Sequence, residues 1–462
     1  MSRVTERAAG DVRRRAEEAV KPVVRWGLGH RLPRTVMEVA AWRGDLQGKL
    51  IVAGRDGDPF PIFEQLRAAG PIYRGRFGHV ATSHALVREV LSSNDFRAGF
   101  ERVAAAGALG RAYLWAADTG VLGPVEPPSL LVTEPPDHTR YRRLVTRVFS
   151  VRAVEALRPR VEQIATELLD SLDGADVVEL VDAYCTKLPV TMIAEILGVP
   201  LSERERVLAF GAAAAPSLDM GLSWSTFRSV EKALRGFDAW LGDHLERLRE
   251  QPGDDLLSQL VAAQDDGVGL DERELKSTAG LVLAAGFETT VNLLSNGANL
   301  LHRHPDQAAL LAADPSLWPN AVEEILRFDP PVLLTGRTAL RDTELTGGVR
   351  VRRGTLVTTV LAAANRDPAV FEDPARFDVT RENAKDHISF SAGRHYCLGA
   401  ALARMEGEVA LRTLFERYPR LQTLPGARRR ETRILRGFET LPVRLGPPGR
   451  LAPGIVVPPR CG

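Results

Sequence analysis

The stretch Phe390-Ser391-Ala392-Gly393-Arg394-His395-Tyr396-Cys397-Leu398-Gly399 decides how the rest of the chain is read. Gly393 allows a tight turn, and Ala400 to Arg417 after it has the apolar spacing of an amphipathic helix. Cys397 therefore falls at or just before a helix N-terminus, where free backbone N–H groups and the positive end of the dipole favour a thiolate. Gly399, with no Cβ, lets a flat group approach the helix start closely. Three uses of this sulfur are open: ligand to a haem iron, nucleophile of a Cys–His hydrolase with His395, or buried inert thiol. For an isolated cysteine the inert use is the commonest, because free cysteine is among the most buried residue types. Phe390, Gly393, His395, Cys397 and Gly399 together form a pattern that arises by accident about once in ten thousand such sequences, which shifts the balance away from plain core.

Composition narrows the function classes. The 462 residues carry 60 Lys+Arg against 59 Asp+Glu, a formal charge of +1, which argues against a chain built around nucleic acid. Hydrophobic residues at 44% and charged residues at 26% describe an ordinary soluble globular protein, long enough to enclose a cofactor. Three cysteines (Cys185, Cys397, Cys461) exclude a disulfide framework and point to a reducing compartment. No apolar run reaches the 18 or so residues of a transmembrane segment. Residues 1–45 form an arginine-rich arm (Arg3, Arg7, Arg13, Arg14, Arg15, Arg25, Arg31, Arg34, Arg43) with Glu6, Asp11, Glu17, Glu18 and Glu38 interspersed, unlike an acid-poor transit peptide. A solvated helical arm is favoured over a membrane-surface helix, and a cytoplasmic protein is expected.

Most of the chain has helical periodicity, clearest over Val151 to Leu172, Ser202 to Phe210, Phe227 to Glu250 and Asp271 to Arg303, with Ser202 and Glu205 spaced as a capping box. Strand-like runs are few: Gly78 to Ala81, Val349 to Val351, Thr355 to Leu361 and Leu441 to Leu445. No repeat of solenoid or propeller period is present. Arg97 to His138 is a long connection whose apolar residues, including Phe100, Leu109, Tyr113, Leu114, Trp115, Leu122, Leu130 and Leu131, favour a lid over a linker. The expected organisation is one large domain over 46–445, mainly α with a small β part, and a Pro/Gly-rich tail over 446–462.

The cysteine loop resembles that of the cytochromes P-450, and the resemblance extends in order from about Asp58 to Leu445. It implies the fold of that family and a haem b whose iron is held by the Cys397 thiolate, with Phe390 packed beside it and His395 at a propionate. Ser391 stands where glycine often follows the phenylalanine. Ala285-Gly286-Phe287-Glu288-Thr289-Thr290 lies inside a long apolar helix, where Thr289 can bond back to the Ala285 carbonyl and bend it. Taken alone this is a bent core helix as readily as a site. The resemblance implies that Ala285 borders an oxygen groove and that Thr289 with Glu288 feeds protons to dioxygen so that its O–O bond breaks. A cysteine thiolate favours that cleavage by pushing electron density toward the iron.

His138 and Arg142 share a helix face and, with Arg337, resemble the family's remaining propionate partners. Glu324 and Arg327, followed by Arg376 in Pro374-Ala375-Arg376-Phe377, resemble its buried Glu–Arg–Arg core and are assigned structural roles. Val332, Leu333 and Phe438 fall where the family lines its pocket. Arg140, Arg142, Arg143, Arg147, Arg394, Arg404 and Arg412 form either a solvated mixed-charge face or a dock for an acidic electron carrier. The implied activity is insertion of one oxygen atom of O2 into a small-molecule substrate that is bulky and apolar (a polyketide or macrolide, lipid, sterol or terpenoid), with electrons from a ferredoxin and ferredoxin reductase. A non-catalytic haem-binding sensor or carrier and a Cys–His hydrolase are the rival readings.

Overall fold

A single helix of 32 residues, Glu272–Arg303, runs through the middle of the molecule. Asp271 caps it: its side chain accepts from the Glu274 backbone N–H, and the Glu274 side chain accepts in return from the Asp271 N–H. From Leu275 onward most of its side chains are buried, because helices surround it. Lys187–Ile196, Arg204–Ala214, Trp224–Glu250, Trp318–Phe328 and Ala400–Arg417 all pack against it. A helix apolar around its circumference has to lie in the middle of a large core.

The structure is a computed structural model and describes residues 17, 19–56, 58–99, 107–117, 123, 125–146, 149–219, 221–263 and 269–449. Phe100, Leu122, Met220, Arg147 and Cys461 lie outside these residues, as do the first sixteen positions of the arm and the tail beyond 449. The β part is small. A five-stranded sheet takes the order Ile72–Gly75, Gly78–Ala81, Leu356–Thr359, Thr335–Ala339, Phe96–Ala98. Its neighbours are antiparallel except for the second and third strands. Val177–Glu179, Pro442–Arg444 and Gln422–Thr423 form a second sheet, and two hairpins complete the strands.

Two local expectations are corrected. Ser202 is not a helix cap. Pro200 holds the chain extended, Leu201–Glu203 forms a single 3-10 turn, and the helix begins at Arg204. The Glu203 carboxylate bonds the Trp240 indole and Arg247. The arm, for its part, is helical but not free in solvent. Residues 19–42 run as one helix with a π-helical stretch at Gly27–Arg31. The Trp26 indole N–H donates to the Leu222 carbonyl (2.9 Å), Arg25 pairs with buried Glu231, and the His30 and Phe227 rings lie 5.4 Å apart.

Glu324 and Arg327 form an ion pair with no surface exposure on either side chain. Arg327 donates from Nε and Nη2 to the two Glu324 oxygens (2.6 and 2.8 Å), and further to the carbonyls of Asn365, Pro374 and Arg376. The arginine that completes this cluster is Arg381, whose Nε lies 3.3 Å from Glu324. Arg376 contributes only its backbone carbonyl; its side chain is 63% exposed and faces Asp378. Asp373 adopts a positive φ of 43°, and the turn there brings the Arg376 carbonyl inward and its side chain outward. Removing one partner of a buried ion pair leaves the other charge uncompensated. Arg327→Ala should therefore destabilise the holoprotein by about 3–5 kcal/mol, whereas Arg376→Ala should stay within about 0.5 kcal/mol. Denaturant titration of the two variants checks the contrast.

Candidate functional site

The cysteine loop is a folded turn. Gly393 has φ +67°, and a Cβ there would sit 2.7 Å from the Leu91 carbonyl oxygen, so glycine is required twice over. Ser391 also occupies the left-handed region, at φ +64°, with its hydroxyl buried and unpartnered. A glycine at 391 would adopt this conformation without strain. The Cys397 N–H donates to the Phe390 carbonyl (2.9 Å) and closes the loop, and the helix Ala400–Arg417 begins three residues later. The Gly399 N–H is directed at the sulfur.

Cys397 lies on the wall of an interior space. Its surface is accessible, yet the surrounding protein pushes its thiol above the ordinary range against the opposing pull of the Gly399 N–H, Arg142 and Arg404. A Cβ built on Gly399 would meet nothing within 4 Å. By contrast Cys185 is sealed in the core, and burial drives its thiol up strongly.

The central helix presents a matching open stripe. Leu281, Ala285 and Thr289, spaced four apart, retain accessible surface, while Val282, Leu283, Ala284, Phe287, Glu288 and Thr290 are buried. The Thr289 hydroxyl donates to the Ala285 carbonyl (2.8 Å), the bond anticipated from sequence, and Thr290 does the same to Gly286 (3.1 Å). The helix nevertheless stays continuous through this turn. Glu288 points elsewhere: its carboxylate lies 3.0 Å from Arg430 Nε, with only 3% of the side chain exposed. Burial raises its pKa and Arg430 opposes the rise. Glu406, nine residues after Cys397, bonds Thr290 and so ties the cysteine-side helix to the central one; burial pushes its carboxyl up to about 8.

Cations gather near the cysteine loop from two further segments and from the loop itself. His138 and Arg142 come from the helix Asp137–Thr146, Arg337 from the strand Thr335–Ala339, and His395 from the loop itself. The His138 and His395 rings lie 4.5 Å apart. His138 Nε2 is buried with no partner, and burial with the nearby His395 and Arg142 charges holds this imidazole down at about 4. Arg337 is 5% exposed and donates only to Gly336 O (2.9 Å) and, weakly, to Thr335 Oγ1. Burial pushes its guanidinium down to about 10. Among the described residues no carboxylate pairs with Arg142 or Arg337. Buried cations without counterions are costly unless an anion joins them.

Glu134, which sequence reasoning missed, supplies one negative charge. Its oxygens accept from His395 Nε2 (3.2 Å), Arg394 (2.7 Å) and the Ala98 N–H (2.6 Å). Burial would raise this carboxyl, but the bonds from His395 and Ala98 hold it at about 2. Arg97, on the strand beside Arg337, was also missed; its Nε is buried and unpartnered. Nothing in the local sequence marks either residue.

These residues fit a haem. The orphaned His138 Nε2 and the unpaired Arg142 and Arg337 suit its propionates, and the accessible sulfur beside open space at Gly399 suits its iron and flat ring. Phe390 lies beside the sulfur's loop with the Arg404 guanidinium 4.5 Å from its ring centre. The expected pocket residues are buried or half-buried against neighbouring segments. Leu333 is in the core and donates its N–H to Ile434 O, Val332 bridges to Leu435, and Phe438 is buried under Arg429. A small cavity lies among Phe210, Gly211, Ala214, Phe237, Leu283 and Ala284, against the central helix. Much of the basic cluster is already paired: Arg140 with Glu274, Arg404 with Glu323 and Arg412 with Glu416.

Known proteins share this arrangement of chain. The cytochrome P450 family model matches residues 316–442. A protein of Mycobacterium tuberculosis named cytochrome P450 140 is 50% identical over 436 residues, spanning 93% of this chain and 98% of its own. The 6-deoxyerythronolide B hydroxylase of Saccharopolyspora erythraea is 47% identical over 68% of this chain and 77% of its own. The ligand-free crystal structure of Mycobacterium smegmatis CYP164A2 superposes with a TM-score of 0.76 at 35% identity, over 86% of this chain and 99% of that one. With a relative half identical along nearly its full length, and the fold to match, the chain belongs to the cytochrome P450 family of haem-thiolate monooxygenases.

Proposed function

We propose that Cys397 is the iron ligand, that His138, Arg142, Arg337 and His395 hold the propionates, and that the enzyme hydroxylates a bulky, largely apolar small molecule of polyketide or macrolide type. The observation that carries the residue assignment is the orphaned, buried His138 Nε2 beside unpaired Arg142 and Arg337, next to the loop that exposes the Cys397 sulfur. The haem supplies the oxygen-activating chemistry when bound; the chain supplies placement, dryness and protons. The Gly399 N–H steadies negative charge on the sulfur, and His395 is steered by Glu134 through Nε2.

Thr289 holds its hydroxyl hydrogen on the Ala285 carbonyl, at the accessible edge of a helix otherwise closed to solvent. Release of that bond turns the hydroxyl toward the open side as a donor. Glu288 is the acid that replenishes it. Its carboxylate rests on Arg430, which is 29% exposed and so links a buried acid to solvent. Proton delivery from Glu288 therefore requires its contact with Arg430 to loosen.

The substrate class is supported by the likeness to the 6-deoxyerythronolide B hydroxylase of Saccharopolyspora erythraea. Electrons come from a ferredoxin and its ferredoxin reductase, and the enzyme acts in the cytoplasm.

Three outcomes are expected. The reduced protein under carbon monoxide shows the long-wavelength band of thiolate-ligated haem, and Cys397→Ser abolishes it while leaving the fold intact by circular dichroism. Arg337→Ala speeds haem transfer to apomyoglobin by about 10- to 100-fold, the loss of one charged hydrogen bond. In Thr289→Ala, product formed per reductant consumed falls by about an order of magnitude or more while oxygen uptake continues. Oxygen uptake that stays coupled to product in that variant removes Thr289 from the proton path.

A further inference from the structure

The helix of residues 19–42 is held by Pro22 and Ala40, which are buried, and by Arg25 and Trp26, which anchor it to the segment around Leu222 to Glu231. Its outer face is apolar. Val20, Val23, Leu32 and Val39 are each 42–52% exposed and Trp42 is 84% exposed.

The π-helical stretch Gly27–Arg31 brings these positions into one stripe. At about 100° per residue an uninterrupted α-helix would place Val39 roughly 100° around from Val20. Five residues of wider π-helix unwind the helix by about a quarter turn. All five side chains then fall within an arc of about 90°.

The other exposed positions along this face are Ala19, Arg31, Thr35 and Arg43, none of them acidic, and nearby Glu38 is neutralised by Arg34 at 2.8 Å. The helix Ala108–Ala117 adjoins, with Lys21 over the Trp115 ring at 5.5 Å. It adds exposed Leu109, Trp115 and Arg111 and has no acidic residue. The chain that precedes the helix carries Arg3, Arg7, Arg13, Arg14 and Arg15 against Glu6, Asp11, Glu17 and Glu18. Apolar side chains flanked by Trp42 and by exposed Arg31, Arg43 and Arg111, with the one exposed acid among them, Glu38, paired to Arg34, match an anionic lipid surface.

We infer that this face is a docking surface for an anionic lipid bilayer, on which the helix lies in the plane of the headgroups without crossing. Among the described residues no helix is long and apolar enough to span a membrane, in keeping with in-plane contact. The docked helix sets the Ala108–Ala117 segment at the lipid surface. The docking does not depend on the substrate assignment above.

The test is vesicle flotation of the full-length holoenzyme. Vesicles of phosphatidylcholine alone are compared with vesicles containing about one third phosphatidylglycerol, at low salt and at about 0.5 M salt. The protein is expected to float with the anionic vesicles, less so at high salt. The double variant Val39→Asp with Trp42→Asp should lower binding by about tenfold or more, with its reduced carbon monoxide spectrum unchanged as proof of an intact site. Absence of binding to anionic vesicles overturns the inference, as does binding that this variant does not reduce. A wild-type dimer in analytical ultracentrifugation that the variant lacks, without vesicle binding, makes the face a protein interface and overturns it equally.

Discussion

The fully buried guanidinium of Arg327 organises the site-bearing half of the molecule. All five of its N–H donors are used, two on Glu324 and three on the carbonyls of Asn365, Pro374 and Arg376. Asn365 then passes the order on: its Oδ1 accepts the Ile388 N–H and its Nδ2 donates to Ser389 Oγ, which itself donates to Leu326 O. The chain entering the cysteine loop at Phe390 is thus held by bonds that trace back to one ion pair. Such a pair need not stabilise the fold more than an apolar core would. What it supplies here is geometry, because a planar fork with five fixed donors permits few arrangements of the three segments it joins.

The proposed propionate pocket has the opposite character. Here cations are buried without enough anions: His138 is held neutral, Arg337 is pushed down, and Glu134 answers mainly His395 and Arg394. The same desolvation that makes the pocket costly when bare makes a bound dianion strongly held. Glu288 is paired in a different way, since one partner is nearly sealed and the other reaches water. Opening that contact returns the arginine to solvent but leaves the buried carboxylate uncompensated, so it goes together with proton uptake by Glu288. Rigid pairing thus supports the loop, and exchangeable pairing sits beside the central helix.

The arm joins the fold through buried Pro22 and Ala40 and through Arg25 and Trp26, and leaves a row of further apolar side chains outside. Its arginines, read singly, looked like solvent-facing charges. Arg25 instead pairs with a glutamate that is 6% exposed. The exposed row depends on Gly27–Arg31, where one wider turn realigns the residues after it with those before it.

Short-range rules were enough for much of this protein. The helix from Asp271 to Arg303, the helix after Gly399, the Thr289–Ala285 bond and the tight turn at Gly393 each depend on residues within a few positions, and propensity, capping and sterics act at that range. Tertiary structure decided which of two nearby arginines turned inward, and Arg381 prevailed over Arg376 because of a turn at Asp373. It decided that Glu134 meets a histidine 261 residues away and that Glu288 meets Arg430. It also set the burial of Leu333 and Phe438. Periodicity and local chemistry are written into consecutive residues, whereas pairing between buried charges and the position of empty space depend on how distant segments pack, and no local pattern encodes that.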